Sequence, residues 1–201
     1  MYKYLIFSFI LFFSSNIFSQ SLKAEYKAID SSLNESRVAL SNGIVRLELP
    51  TDLLKGALII AVNNDPTVIL NKKEKRAFSM STLGKKEVFE GFVNDISQLN
   101  NTVSDIPGIL FNVKKQVIKN KADKELTLAI KKLHDALLDP NANKKSYYSK
   151  ANGITVYYLF NVEKNIAFIV NKKYTDYFTV IDSDNISQDD FVNYIVKGVL
   201  Q

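Results

Sequence analysis

Cysteine is absent from the 201 residues. Without thiols there is no disulfide staple, no thiolate nucleophile and no cysteine metal site, so the core alone must hold the chain. A chain of this length can build such a core within one domain. Histidine occurs once, as His134, and a zinc or catalytic histidine needs partners of a kind the sequence lacks. His134 stands just off the apolar stripe of its expected helix, which predicts a surface or boundary position. The seven glycines are scattered singly, which leaves no phosphate-cradling loop. No serine lies in a G-x-S-x-G elbow and none has a lysine three residues on, so both of those serine-nucleophile signatures are missing. Arginine is scarce as well, limited to Arg37, Arg46 and Arg76. The net charge of +5 is therefore almost all lysine, a hydrated point charge rather than the planar fork suited to phosphates and bases. Nucleic acid is not an expected partner, and no cofactor is expected.

What is present begins with a leader. Lys3 precedes an apolar run from Leu5 to Phe13, and "SSNIFSQS" then supplies small residues. This pattern predicts a secretory signal over residues 1–20, cleaved near Ser19 or Ser21, and a single domain over residues 21–201. The expected location is periplasmic or secreted. The run is short for a span of about 20 apolar residues, and no cysteine follows it to carry lipid, so no stable membrane anchor is expected after cleavage. Apolar residues make up 46% of the chain and charged ones 23%, a globular rather than a disordered balance.

Hydrophobic spacing orders the rest. Leu22 to Leu40 reads as a loose helix ended by Asn42-Gly43. "IVRLELP" alternates as a strand, with Val45, Leu47 and Leu49 on one face and Arg46 and Glu48 on the other. Leu58 to Val62 is a short apolar run before the turn signal Asn63-Asn64-Asp65-Pro66. "TVIL" and "RAFSMST" then form two strands joined by the charged loop Asn71–Lys75. Val88, Phe89, Phe92, Val93, Ile96 and Leu99 predict an amphipathic helix. "SDIPG" opens a second segment, readable as helix or strand, and Leu126, Ile130, Leu133 and Leu137 mark a third helix that Asp139-Pro140 ends. Residues 141–153 read as loop. Ile154 to Phe160 and Ile166 to Asn171 form a hairpin apolar on both faces, hence a central one. Of the tyrosines between Ile154 and Ile181, Tyr158 reads as core, whereas Tyr157, Tyr174 and Tyr177 are expected where one end is wet. A strand from Tyr177 follows, and Ser187-x-x-Asp190 caps a C-terminal helix, which accounts for the acidic run "DSDNISQDD" without a metal. The sum is an α+β domain, an antiparallel sheet packed with several helices.

Two lysine-rich groups stand out as candidate partner-binding residues. Lys144, Lys145, Tyr147 and Tyr148 combine basic and aromatic side chains in an expected loop, where binding residues gather. Lys72, Lys73, Lys75 and Arg76 sit at an expected hairpin tip and offer a basic face to an acidic partner. These features point to an exported, non-enzymatic protein that binds another protein. One version is a periplasmic immunity protein neutralising a toxin or effector. A third reading, an unrecognised hydrolase, requires carboxylates or a serine that meet only in space.

"NGIVRLELPTDL", followed by a turn, "TVIL" and "RAFSMST", resembles the opening of DcrB-like proteins with the Mog1/PsbP-like fold. "QDDFVNYIVKGVLQ" resembles their closing helix. The pattern spans about a third of the chain, and the helical stretches between residues 105 and 138 depart from it. The resemblance implies a curved antiparallel sheet and a cell-envelope maintenance or transport accessory protein, with no catalytic residues to carry over.

Overall fold

Asn152 and Gly153 turn the chain at φ of 52° and 78°, the positive values that a two-residue type I′ hairpin demands of both central residues. They join β7 (Ser146–Ala151) to β8 (Ile154–Phe160), with Ala151 opposite Ile154. The stretch expected as loop is therefore a strand from Ser146 onward. The sequence signal is the Asn-Gly pair itself, the preferred two-residue hairpin turn. Asn42-Gly43 also turns a hairpin, here within a four-residue connection between Ser41 and Arg46. It does not end a helix but turns β2 (Arg37–Ser41) into β3 (Arg46–Pro50). Asn42 makes this turn a fixture. Its Oδ1 accepts from the N–H groups of Ile44 and Val45, and its Nδ2 donates to the hydroxyls of Thr82 and Thr179.

This is a computed structural model, and it describes residues 23–29, 36–63, 65–137, 145–160 and 164–201. The expected signal and its cleavage site, Lys144 and the Asp139-Pro140 stop lie outside the described residues. The remaining strands are β1 (Glu25–Tyr26), β4 (Leu58–Val62), β5 (Asp65–Asn71), β6 (Arg76–Gly84), β9 (Lys164–Asn171) and β10 (Tyr177–Asp184). Eight strands form one sheet in the order β1-β7-β8-β9-β10-β6-β5-β4, antiparallel except where β1 runs parallel to β7. Where a loose helix was expected between Leu22 and Leu40, the described residues contribute strands β1 and β2. The spacing there is near helical, but pairing of β1 with β7 and of β2 with β3 overrides it.

One face of the sheet carries Val68, Phe78, Met80, Val156, Tyr158, Ala167, Ile169 and Ile181. The β2–β3 hairpin and the C-terminal helix α4 (residues 188–199) close over it, contributing Val45, Leu47, Leu49, Phe191, Ile195, Val196 and Val199. The middle of that helix, Phe191–Val196, is wound as a π-helix. Gly198 lets the helix touch β3, because a Cβ there would lie 2.4 Å from the Glu48 carbonyl oxygen. Ser187 accepts from the Asp190 N–H as its N-cap.

The opposite face, with Leu83, Tyr157, Leu159, Phe168, Phe178 and Val180, is covered by the chain between β6 and β7. This layer holds α1 (Lys85–Phe89), α2 (Ile106–Leu110) and α3 (Lys121–Leu137). The amphipathic stripe from Val88 to Leu99 does reach this core, yet the helix stops at Phe89. Glu90 is extended and Gly91 turns at φ 86°, so the later apolar residues arrive from turns rather than a continuous helix. Likewise α2 ends before Asn112, at φ 55°, and Val117 stays 42% exposed. Asp123 fastens the layer: its buried carboxylate accepts from the N–H groups of Asn100 and Lys119 and from the Asn100 amide. His134, expected at a surface or boundary position, is 7% exposed and its Nδ1 is 2.8 Å from the Leu110 carbonyl oxygen, so it ties α3 to α2.

Candidate partner-binding surface

The two basic groups do not form one patch. Lys72, Lys73 and Lys75 occupy the β5–β6 turn and are exposed, whereas Arg76 reaches Asp190 of α4 at 3.3 Å. Asn185 donates to the Glu74 carbonyl in the same turn, so this tip docks on the start of α4. Lys145 lies at the same end of the sheet but five strand positions away, roughly 24 Å at the usual strand spacing. Tyr147 and Tyr148 are successive strand residues and point to opposite faces. Tyr147 stacks on Tyr158 at 5.6 Å, and Tyr148 on Tyr157 at 6.0 Å. Each is half-buried and extends the core toward the β1 edge, where Lys27 lies over Tyr147 and Lys150 over Tyr148.

Tyr157 was expected with a wet end, but only 8% of it is exposed. Burial, then the nearby Tyr148 and Asp105, push its hydroxyl up to about 12. Tyr174 and Tyr177 are exposed as expected, at 39% and 44%. A cleft of about 260 Å³ lies between Lys27 and Lys197, with Asp189 on its rim, and brings no sequence-predicted residue together with another.

Among the described residues, an exposed apolar surface lies where the charge pattern did not mark one. The helical layer covers only half of the sheet. On its side, β5 and β6 present Thr67, Ile69, Ala77, Ser79 and Ser81, all partly exposed. Neither core includes any of them. Cross-strand pairing carries this face outward to Leu58, Ile60 and Val62 of β4 and inward to Asp182 and Asp184 of β10. Ser79 donates to the Asp182 carboxylate, Asp184 pairs with Lys164 at 3.2 Å, and Asp65 accepts from the Thr82 N–H. The surface thus has an apolar outer strip and a floor of small side chains ending at carboxylates. Ala77, Ser79 and Ser81 leave space for close approach of a partner's backbone.

β4 itself is exposed along its whole length: Leu58 56%, Ile59 44%, Ile60 44% and Val62 62%. Edge strands are usually blunted by charge, proline or a bulge, and "LIIAV" contains no charged residue or proline. The opposite edge, β1, is only two residues long and is flanked by Lys23 and Lys27. The sequence signal was the uncharged run itself, which reads equally well as a buried strand. Only the sheet order places it outside.

Comparison with known proteins adds no relative: no family model, no curated protein and no solved structure matches the chain.

Proposed function

We propose that this chain is an exported protein that works by binding another protein, in the specific form of a periplasmic immunity protein that neutralises a toxin. The supporting observation is the sheet face of β4–β6 left bare by the helical layer, with exposed Leu58, Ile60 and Val62 beside a floor of Thr67, Ala77, Ser79 and Ser81. Contiguous apolar surface rimmed by polar groups marks a protein contact. The carboxylates of Asp182 and Asp184 at its inner border fit a partner segment with an apolar stripe and a basic flank. The lysines Lys72, Lys73 and Lys75 lie in the turn at the end of the same strands.

Gene deletion tests the reading. Removing this gene while the gene immediately upstream remains should stop growth, and removing both should restore it. A deletion without any phenotype that depends on the neighbouring gene, or an envelope defect that persists when both are gone, counts against the immunity role.

A further inference from the structure

We infer that β4 is the contact of a symmetric dimer of this chain, in which the edge strands of two copies pair antiparallel about a twofold axis through Ile60. This goes beyond the partner-binding reading and does not rest on it, because the partner would occupy the sheet face and the second copy the sheet edge.

The backbone supplies the register. Val62 and Asp65 close a two-residue turn in which Asn63 has φ 51°, and residues that close such a turn exchange hydrogen bonds. Bonded and non-bonded pairs alternate along an antiparallel ladder. The pairs Ile60–Thr67 and Leu58–Ile69 are then bonded, and Ile59–Val68 and Ala61–Pro66 are not. Pro66, which has no N–H, sits where none is needed. The N–H and C=O groups of Ile59 and Ala61 consequently point outward. In a pair centred on Ile60, Ile59 of one copy faces Ala61 of the other, and these outward groups meet on both sides of the axis. Leu58 faces Val62, and Ile60 faces itself as a non-bonded pair.

Self-pairing also suits the chemistry of the strand. An uncharged edge has no sign to match in a charged segment, and a lysine or aspartate placed against it would be desolvated without a counterion. Read backwards, "LIIAV" sets an apolar side chain opposite an apolar side chain at every position, and no like charges meet although each copy carries +5. A symmetric interface requires this self-complementarity. The exposed strand sets an upper bound on the order of 400 Å² per copy, under about 800 Å² in all, which is below the standard interface size and fits a weak, reversible dimer rather than an obligate one. Pairing would join two open faces into one, with six side chains from Leu58, Ile60 and Val62 across the seam.

The absence of native cysteine makes the test direct. Residues opposed in a non-bonded antiparallel pair have Cα atoms about 4.5 Å apart, within disulfide reach. Under mild oxidation the purified full chain carrying Ile60→Cys should cross-link to a covalent dimer. Leu58→Cys should not, because its two copies would be about 13 Å apart along the strands. Sedimentation over about 1 to 500 µM should show the unmodified chain rising toward twice its monomer mass, since a small interface associates by mass action. Ile60→Lys, which sets like charges on the axis, and Ala61→Pro, which removes an outward N–H, should each lower association at least tenfold while circular dichroism stays native. A chain that stays monomeric throughout, or Leu58→Cys cross-linking as well as Ile60→Cys, would overturn the dimer. Should Ile60→Lys fail to fold, the cysteine pair still decides the question.

Discussion

The two halves of the sheet obey different rules. Strands β8 and β9 lie between two layers and are apolar on both faces: in "ITVYYLF", Val156 and Tyr158 are buried toward α4, and Tyr157 and Leu159 toward the helical layer. Strands β5 and β6 have one buried face, with Val68, Phe78 and Met80, and one open face with Ile69, Ala77 and Ser79, and β4 beyond them is exposed throughout. The first half stabilises the fold and leaves little surface to offer. The second half keeps enough burial to be ordered and retains exposed apolar area. A protein built to bind can place its contact where the covering layer runs out.

Substitutions of apolar residues in each half should separate them most sharply. Phe178, 1% exposed between the sheet and the helical layer, should cost about 3–5 kcal/mol as Phe178→Ala. Ile60→Thr on β4 should change monomer stability by about 0.5 kcal/mol or less. Urea unfolding reads both, and equal costs would erase the distinction between the halves. Gly198→Ala comes next, because its Cβ would meet the Glu48 backbone oxygen at 2.4 Å and neither atom sits on a flexible side chain. Overpacking of this kind costs about 1–3 kcal/mol, and the loss should appear as earlier unfolding of α4 in hydrogen exchange.

A smaller effect distinguishes the layers by pH. Burial pushes the Asp123 carboxyl up, but the hydrogen bonds from Asn100 and Lys119 outweigh it and hold the group below the usual carboxylate range. A carboxyl lowered in the folded state stabilises above its unfolded value and loses that contribution as pH falls through the folded one. Melting temperature should therefore fall below about pH 4, the unfolded aspartate value. Asp123→Asn should lower it at pH 7 and flatten the acid dependence. The smallest effect is spectroscopic: alkaline titration should find Tyr157 still protonated above the ordinary tyrosine value of about 10, since burial pushes it up to about 12. A single tyrosine transition would contradict its placement under α2.

Much of this architecture was legible from period and turn chemistry. The alternation in Val45, Leu47 and Leu49, the stripe Leu126–Ile130–Leu137 and the Ser187 cap all report local geometry, and the structure bears them out. Where local signals competed, reading the sequence failed. The apolar residues from Val88 to Leu99 keep their core contacts, but Gly91 breaks the helix that their spacing suggested. Lysine and tyrosine at Lys145–Tyr148 looked like an exposed loop, although Asn152-Gly153 already specified a hairpin. Neither basic group predicted the open face, because that face is defined by the absence of a covering layer.

The sequence by itself determined an α+β composition, a cysteine-free core and most strand and turn positions, since each rests on residues within a few positions of one another. Tertiary structure alone decided that "LIIAV" is an outer edge and "ITVYYLF" the centre. Both are short apolar runs, and a strand's own residues do not say how many layers will cover it. That depends on the order in which distant strands pair and on how far the helical layer reaches across them.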